Sequence, residues 1–100
     1  MKKDSIKEEY KKKLLDIIEE ALPGCKVYLF GSRAKGRHSS GSDIDLALDI
    51  GRKIEFKKIL RLIGKHDDTN IPLNVDFVDL NSVSEEMRNK ILSEGILWKT

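Results

Sequence analysis

One hundred residues are enough for one domain, spanning 1–100 with a modest hydrophobic core, and too few for two. With 39% hydrophobic and 36% charged residues the composition is globular, neither disordered nor membrane-spanning, and a formal net charge of +2 provides no polycation for nucleic acid. The lone Cys25 excludes an intrachain disulfide framework and no Cys/His cluster has zinc spacing; a charged N-terminus without an apolar signal region makes the reducing cytoplasm the expected location.

Ser5 with Glu8 has the form of a capping box, and Ile6, Tyr10, Leu14, Ile17, Ile18 and Ala21 recur at three- and four-residue intervals. This predicts an amphipathic helix over residues 5–22, closed by Pro23 and Gly24. Its lysines alternate with Asp4, Glu8 and Glu9, which reads as a solvated face rather than a phosphate-binding stripe. Lys26 to Phe30 reads as a buried strand running into Gly31, and GSRAKGRHSSGS, residues 31–42, as a loop with one helical turn. From Asp43 to Ile50 the alternation is strict: Ile44, Leu46, Leu48 and Ile50 face one way, and Asp43, Asp45, Ala47 and Asp49 the other.

After Gly51, the positions Phe56, Ile59, Leu60 and Ile63 predict a second helix ending near Gly64. A polar return leads to a third strand from Leu73 to Leu80. Ser82 and Glu85 suggest another capping box, followed by Val83, Met87 and Ile91 at helical spacing and a stop at Gly95. Ile96 to Trp98 either packs back on the core or faces a partner. The expected fold is therefore α+β, in the order αββαβα: a small mixed sheet with helices packed on one face. At least part of the sheet is antiparallel, because a parallel return needs a crossover of about a dozen residues or more.

Carboxylates at i and i+2 of a strand share a face, so Asp43 and Asp45 point at one site. Their repulsion is relieved by a cation, and hard oxygen ligands suit magnesium or, alternatively, manganese. Isolated Asp-x-Asp pairs also simply line solvated sheet faces. On the third strand Leu73, Val75 and Phe77 form the apolar face, which leaves Asp76 on the polar side with Asp43 and Asp45 and puts Asp79 on the other. Three carboxylates on one sheet face match a two-metal arrangement for phosphoryl chemistry. Asp43 and Asp45 would hold both ions, and Asp76 would bind the ion that activates an acceptor hydroxyl or would accept its proton. Gly31 and Ser32 follow the first strand, where the absence of a side chain admits a triphosphate and a hydroxyl with adjacent N–H groups can donate to it. A helical turn over residues 32–36 would add a favourable dipole. Arg33, Lys35 and Arg37 are candidate counter-charges, although basic loops are often merely solvated. No Walker A or G-x-G-x-x-G sequence is present.

Gly31-Ser32, followed after a spacer by Ser42-Asp43-Ile44-Asp45-Leu46, resembles the signature of the DNA polymerase β-like nucleotidyltransferase superfamily, whose third carboxylate lies on a later strand. The stretch GSRAKGRHSSGSDIDLAL, with VDFVDL and ILSEGILW, is similar to its minimal nucleotidyltransferase (MNT) group. The resemblance implies magnesium-dependent transfer of a nucleoside monophosphate, AMP from ATP, with metal-binding roles for Asp43, Asp45 and Asp76 and phosphate contacts from Gly31 and Ser32; Arg33 and Ser42 are added as nucleotide-side candidates. It also implies a small helical partner of the HEPN type in a toxin–antitoxin pair, in a homo- or hetero-oligomer, with a partner tyrosine as acceptor.

Two other functions compete with this one. The first is an antitoxin module that neutralises a helical partner by covering it, with little or no catalysis. The second is transfer to an RNA end, which the absence of a concentrated basic patch disfavours. His38 and His66 read as solvated loop residues, Asp49 as solvent-facing at a strand end, and Trp98 as either a partner contact or a core closure.

Overall fold

A computed structural model describes residues 6–37, 39 and 41–100. The first helix, α1, runs Glu8–Ala21 and buries Leu14 and Ile18, two members of the predicted stripe. Ser5 lies outside the described residues. The helix starts from Lys7, whose side chain makes no capping hydrogen bond, while Glu8 and Glu9 in the first turn complement the helix dipole. Strands β1 (Lys26–Phe30) and β2 (Ile44–Asp49) follow, then helix α2 (Phe56–Asp67), strand β3 (Val75–Asp79), helix α3 (Glu85–Glu94) and strand β4 (Ile96–Lys99).

The sheet order is β3-β2-β1-β4. Strand β1 pairs antiparallel with β2 and with β4, while β2 and β3 are parallel. The mixed sheet has a direct cause: the β1–β2 connection carries no helix, whereas α2 supplies the crossover that a parallel return requires. Strand β4 extends the expected αββαβα order by one element. Ile96 to Trp98 is strand, and Trp98 is buried against the main core.

Val27, Leu29, Ile44, Leu46, Leu48 and Phe77 point from the sheet into a core completed by Leu14 and Ile18 of α1 and Leu62 of α2. On the other face Ala47 packs with Leu80 and Ile91, bordered by Tyr28, Phe30 and Val83. The expectation that the helices share one face thus holds for α1 and α2 and is corrected for α3. Ala47, small and in the middle of β2, lets that helix approach the acidic side of the sheet.

Helix α2 runs through Gly64 to Asp67. Leu62 and His66 are buried, whereas Phe56, Leu60 and Ile63 of the predicted stripe are 72%, 51% and 42% exposed. The helix carries two apolar stripes, and the buried one is disguised by a histidine. His66, expected in a solvated loop, instead sits on α2 with its Nε2 3.0 Å from the Leu73 carbonyl and its ring edge-on to Phe77. The cap of α3 is Ser84, whose Oγ accepts from the Met87 N–H at 3.2 Å. Ser82, proposed for that role, donates its hydroxyl to Asp79 at 2.7 Å. Among the described residues no helix is long and apolar enough to cross a membrane.

Candidate active site

The two strands of the acidic face meet in a register that decides which side chains can cooperate. Asp45 of β2 stands directly across from Asp76 of β3, and on its other side across from Phe30, the last residue of β1. Asp43 lies one residue before β2, exposed, and Asp45 and Asp76 follow the period-two rule that put all three on one side. Asp79 pairs with Leu48, a core-facing residue, and accepts hydrogen bonds from the Ile54 N–H at 2.8 Å and the Asn81 N–H at 3.0 Å. It organises the strand-end turns and does not join the cluster.

Electrostatics bind the three carboxylates together. The Asp45 carboxyl is pushed above its ordinary value first by burial, then by the neighbouring charges of Asp76 and Asp43. Among the described residues no three His, Cys, Asp or Glu side chains form a ready-made cage for an ion. The group is therefore one of adjacent carboxylates under mutual repulsion, a donor set that a divalent cation would relieve.

Gly31 closes the site from the β1 side. Its φ of +77° lies in the left-handed region, which lets the chain turn sharply at the end of β1. A Cβ at this position would run into the Asp45 carboxylate, 3.2 Å from its Cγ. No other residue type leaves the backbone this close to the acidic group without displacing it. The turn that follows is closed by Lys35 N–H to Gly31 carbonyl at 3.3 Å and Arg37 N–H to Ser32 carbonyl at 2.9 Å, so Ser32 opens one irregular helical turn.

Arg33, read from the sequence as a phosphate counter-charge, is buried at 2% exposure, and its Nε donates to the Ser42 carbonyl at 3.0 Å. The side chain ties the glycine-serine turn to the residue that precedes Asp43. Ser42 in turn accepts from the Ser39 N–H through its Oγ at 2.9 Å. Its role in the structure is to shape the loop. Lys35 reaches the other way and pairs with Glu94 of α3 at 3.0 Å, while Arg37 is exposed. His38 lies outside the described residues.

Asp49, expected to face solvent, is half-buried and accepts from Asn81 Nδ2 and the Gly51 N–H, each at 2.8 Å. Arg88 donates to Asn81 Oδ1 at 2.9 Å and completes a network joining β2 to α3. The local sequence around Asp49 signals only the Gly51 turn, because Asn81 lies 32 positions away and Arg88, which holds Asn81, lies 39 away. Burial pushes the Cys25 thiol up to about 11, which keeps it an inert core residue.

The family model described as "Polymerase beta, Nucleotidyltransferase" matches residues 12–99. The Haemophilus influenzae protein called probable protein adenylyltransferase MntA is 33% identical over 75 residues, covering 75% of this chain and 66% of its own length, so the chain spans just under two thirds of that relative. A chain of a toxin–antitoxin complex solved with AMP-PNP superposes with a TM-score of 0.75 at 26% identity, over 88% of this chain and 71% of that one. At 22% identity, a chain from the Shewanella oneidensis complex of a tri-AMPylated HEPN toxin with its MNT antitoxin shares the fold with a TM-score of 0.71, over 93% and 71% of the two chains.

Proposed function

This chain belongs to the polymerase β nucleotidyltransferase family, and we propose that it moves AMP from ATP onto an acceptor hydroxyl, with divalent cations held by Asp43, Asp45 and Asp76. The observation that carries the proposal is the position of Asp45, which is register-paired with Asp76 on one side and crowded by Gly31 on the other. One residue thus adjoins both a second carboxylate and the bend where phosphates would lie.

Two magnesium ions, or manganese in their place, would neutralise the triphosphate and stabilise the attacking and leaving oxygens together. The protein's own residues supply the rest. Asp43 and Asp45 present oxygen ligands from one strand face, and burial, with the neighbouring carboxylates after it, makes the ionised state of Asp45 costly until a cation arrives. Asp76, on the edge strand, faces the acceptor side and takes the hydroxyl proton as the new O–P bond forms at the α-phosphorus. The bond from that phosphorus to the bridging oxygen breaks and pyrophosphate leaves. Gly31 admits the phosphates to the backbone, Ser32 donates to them, and Arg33 holds Ser42, and with it the approach to Asp43, in place.

For the acceptor we propose a tyrosine of a small HEPN-type helical protein, the pair acting as toxin and antitoxin in the cytoplasm. The MNT resemblance of the signature, the adenylyltransferase relative and the toxin–antitoxin neighbour with AMP-PNP support that choice. The exposed stripe Phe56, Leu60 and Ile63 favours a contribution from complex formation as well. The test is to incubate the purified protein with magnesium, each labelled nucleoside triphosphate and the product of the adjacent gene, and to locate the label by mass spectrometry. Adenylate on a partner tyrosine is the expected result. Labelling that survives replacement of Asp43 and Asp45 by asparagine would refute it, and neutralisation of the partner that survives those replacements would assign the antitoxin effect to binding.

A further inference from the structure

The sheet has an open edge at β3, whose sole strand neighbour among the described residues is β2. Which of its backbone groups are committed follows from the register. The Ile44 N–H donates to the Asn74 carbonyl and the Leu80 N–H to the Leu48 carbonyl, each at 2.9 Å, so the even-numbered residues of the segment turn their backbone groups toward β2. Val75 and Phe77 turn theirs away from the sheet, and among the described residues no hydrogen bond reaches them there. Two residues further on the edge is closed, because the Asp79 carbonyl accepts from the Ser82 N–H at 3.0 Å. The open stretch is therefore centred on Asp76, whose exposed side chain stands on the acidic face between the two unpaired positions.

We propose that the acceptor protein docks here as an extended segment that adds a strand to β3 and lays its hydroxyl-bearing side chain beside Asp76. The inference rests on the transfer reading above, in which the acceptor approaches from the Asp76 side. Backbone geometry selects the conformation of the occupant. The free groups of Val75 and Phe77 recur about 6.6 Å apart, the two-residue repeat of another strand, whereas a helix uses its backbone groups internally and cannot answer them. A strand added at the usual spacing of about 4.8 Å puts every second side chain on the acidic face, next to the carboxylate that takes the proton. Charge selects its composition. Asp76 and Asp79 make β3 acidic, so a second copy of this edge would set carboxylates against carboxylates, and a neutral or basic segment fits instead. A folded acceptor must accordingly offer its hydroxyl from an extended terminus or loop.

Val75→Pro tests the docking mode, because this substitution removes an outward N–H and no hydrogen bond to β2. With the product of the adjacent gene as acceptor, the KM for that protein is expected to rise about tenfold or more, with kcat and the affinity for magnesium–ATP near the parent's. Val75→Ala keeps the N–H and should leave that KM near the parent's. Amide exchange followed by NMR in the parent chain covers a proline variant that does not fold. The Val75 and Phe77 amides should slow in the presence of the acceptor protein, while those of Asp76 and Val78, already bonded to β2, serve as the reference. An unchanged KM in folded Val75→Pro, an equal rise in Val75→Ala, or edge amides that exchange as fast with the acceptor as without it overturns the edge assignment and leaves the transfer reading intact. Slowing that depends on the concentration of this chain alone gives the edge to a second copy and also overturns it. Adenylate on no acceptor removes the transfer reading itself, and this assignment with it.

Discussion

Replacing Gly31 by alanine separates two costs that the structure places at the same residue. The first is backbone strain. At φ +77° an L-residue is about 1–2 kcal/mol less stable than glycine, enough to lower the melting temperature of a domain this size by about 5–15 °C. The second is steric, because the new Cβ would meet the Asp45 carboxylate and force it to rotate away from Asp76. Gly51 is the matched control: its φ is +80°, and a Cβ there would have nothing within 4 Å. Both alanine variants should therefore lose the stability that the shared strain costs in thermal melts, with Gly31→Ala losing at least as much as Gly51→Ala. Their activities should diverge, with Gly31→Ala about a hundredfold slower in nucleotide transfer, the scale of a small misplacement in a reacting site, and Gly51→Ala near the parent rate. Equal activities in the two folded variants would refute the argument that Gly31 is required by its distance to Asp45.

Arg33→Met removes a buried donor to the Ser42 carbonyl and should lower stability by about 1–3 kcal/mol in urea denaturation, with a fall in transfer rate that Arg33→Lys does not fully restore. Leu46→Ala, at a fully buried position on the reverse face of β2 from Asp45, should cost about 2–5 kcal/mol by the same measurement. Because folding raises the Asp45 carboxyl above its ordinary 3.8, the native state holds that proton more tightly than the unfolded chain. Its contribution is stabilising below 3.8 and is lost as the pH rises through the folded value. Asp45→Asn should consequently melt above the parent at neutral pH without divalent cation, while transferring no nucleotide; melts across the acid range check the sign. Added magnesium should raise the parent's melting temperature and leave that of Asp45→Asn unmoved.

What could be read from the chain alone followed from local periodicity. The strand from Lys26 to Phe30 was legible because its apolar run is bounded by a Pro-Gly turn and by Gly31. The alignment of Asp76 with Asp45 followed from alternation on two strands, and the register of the parallel pair agrees with it. Features set by tertiary contacts were hidden. Strand β4 is four residues long and exists because it pairs with β1. The buried stripe of α2 includes His66, whose polarity is satisfied by a carbonyl beyond the helix, so the exposed Phe56 and Leu60 looked like the core side. Gly64 does not end that helix: the next turn is held by Asp68 N–H to the Gly64 carbonyl at 3.3 Å. Arg33 reads from the sequence as a phosphate counter-charge because its acceptor, the Ser42 carbonyl, is a backbone atom that no side-chain pattern reveals.

The central claim concerns cations at the Asp43, Asp45 and Asp76 carboxylates beside the Gly31–Ser32 bend. A crystal structure with manganese and a non-hydrolysable ATP analogue, with the ions located by anomalous scattering, tests it most directly. The account predicts ion peaks about 2.0–2.2 Å from oxygens of Asp43 and Asp45, with Asp76 completing one of them and the phosphates over Gly31. Ions bound elsewhere, or a triphosphate seated away from the acidic face, would contradict it.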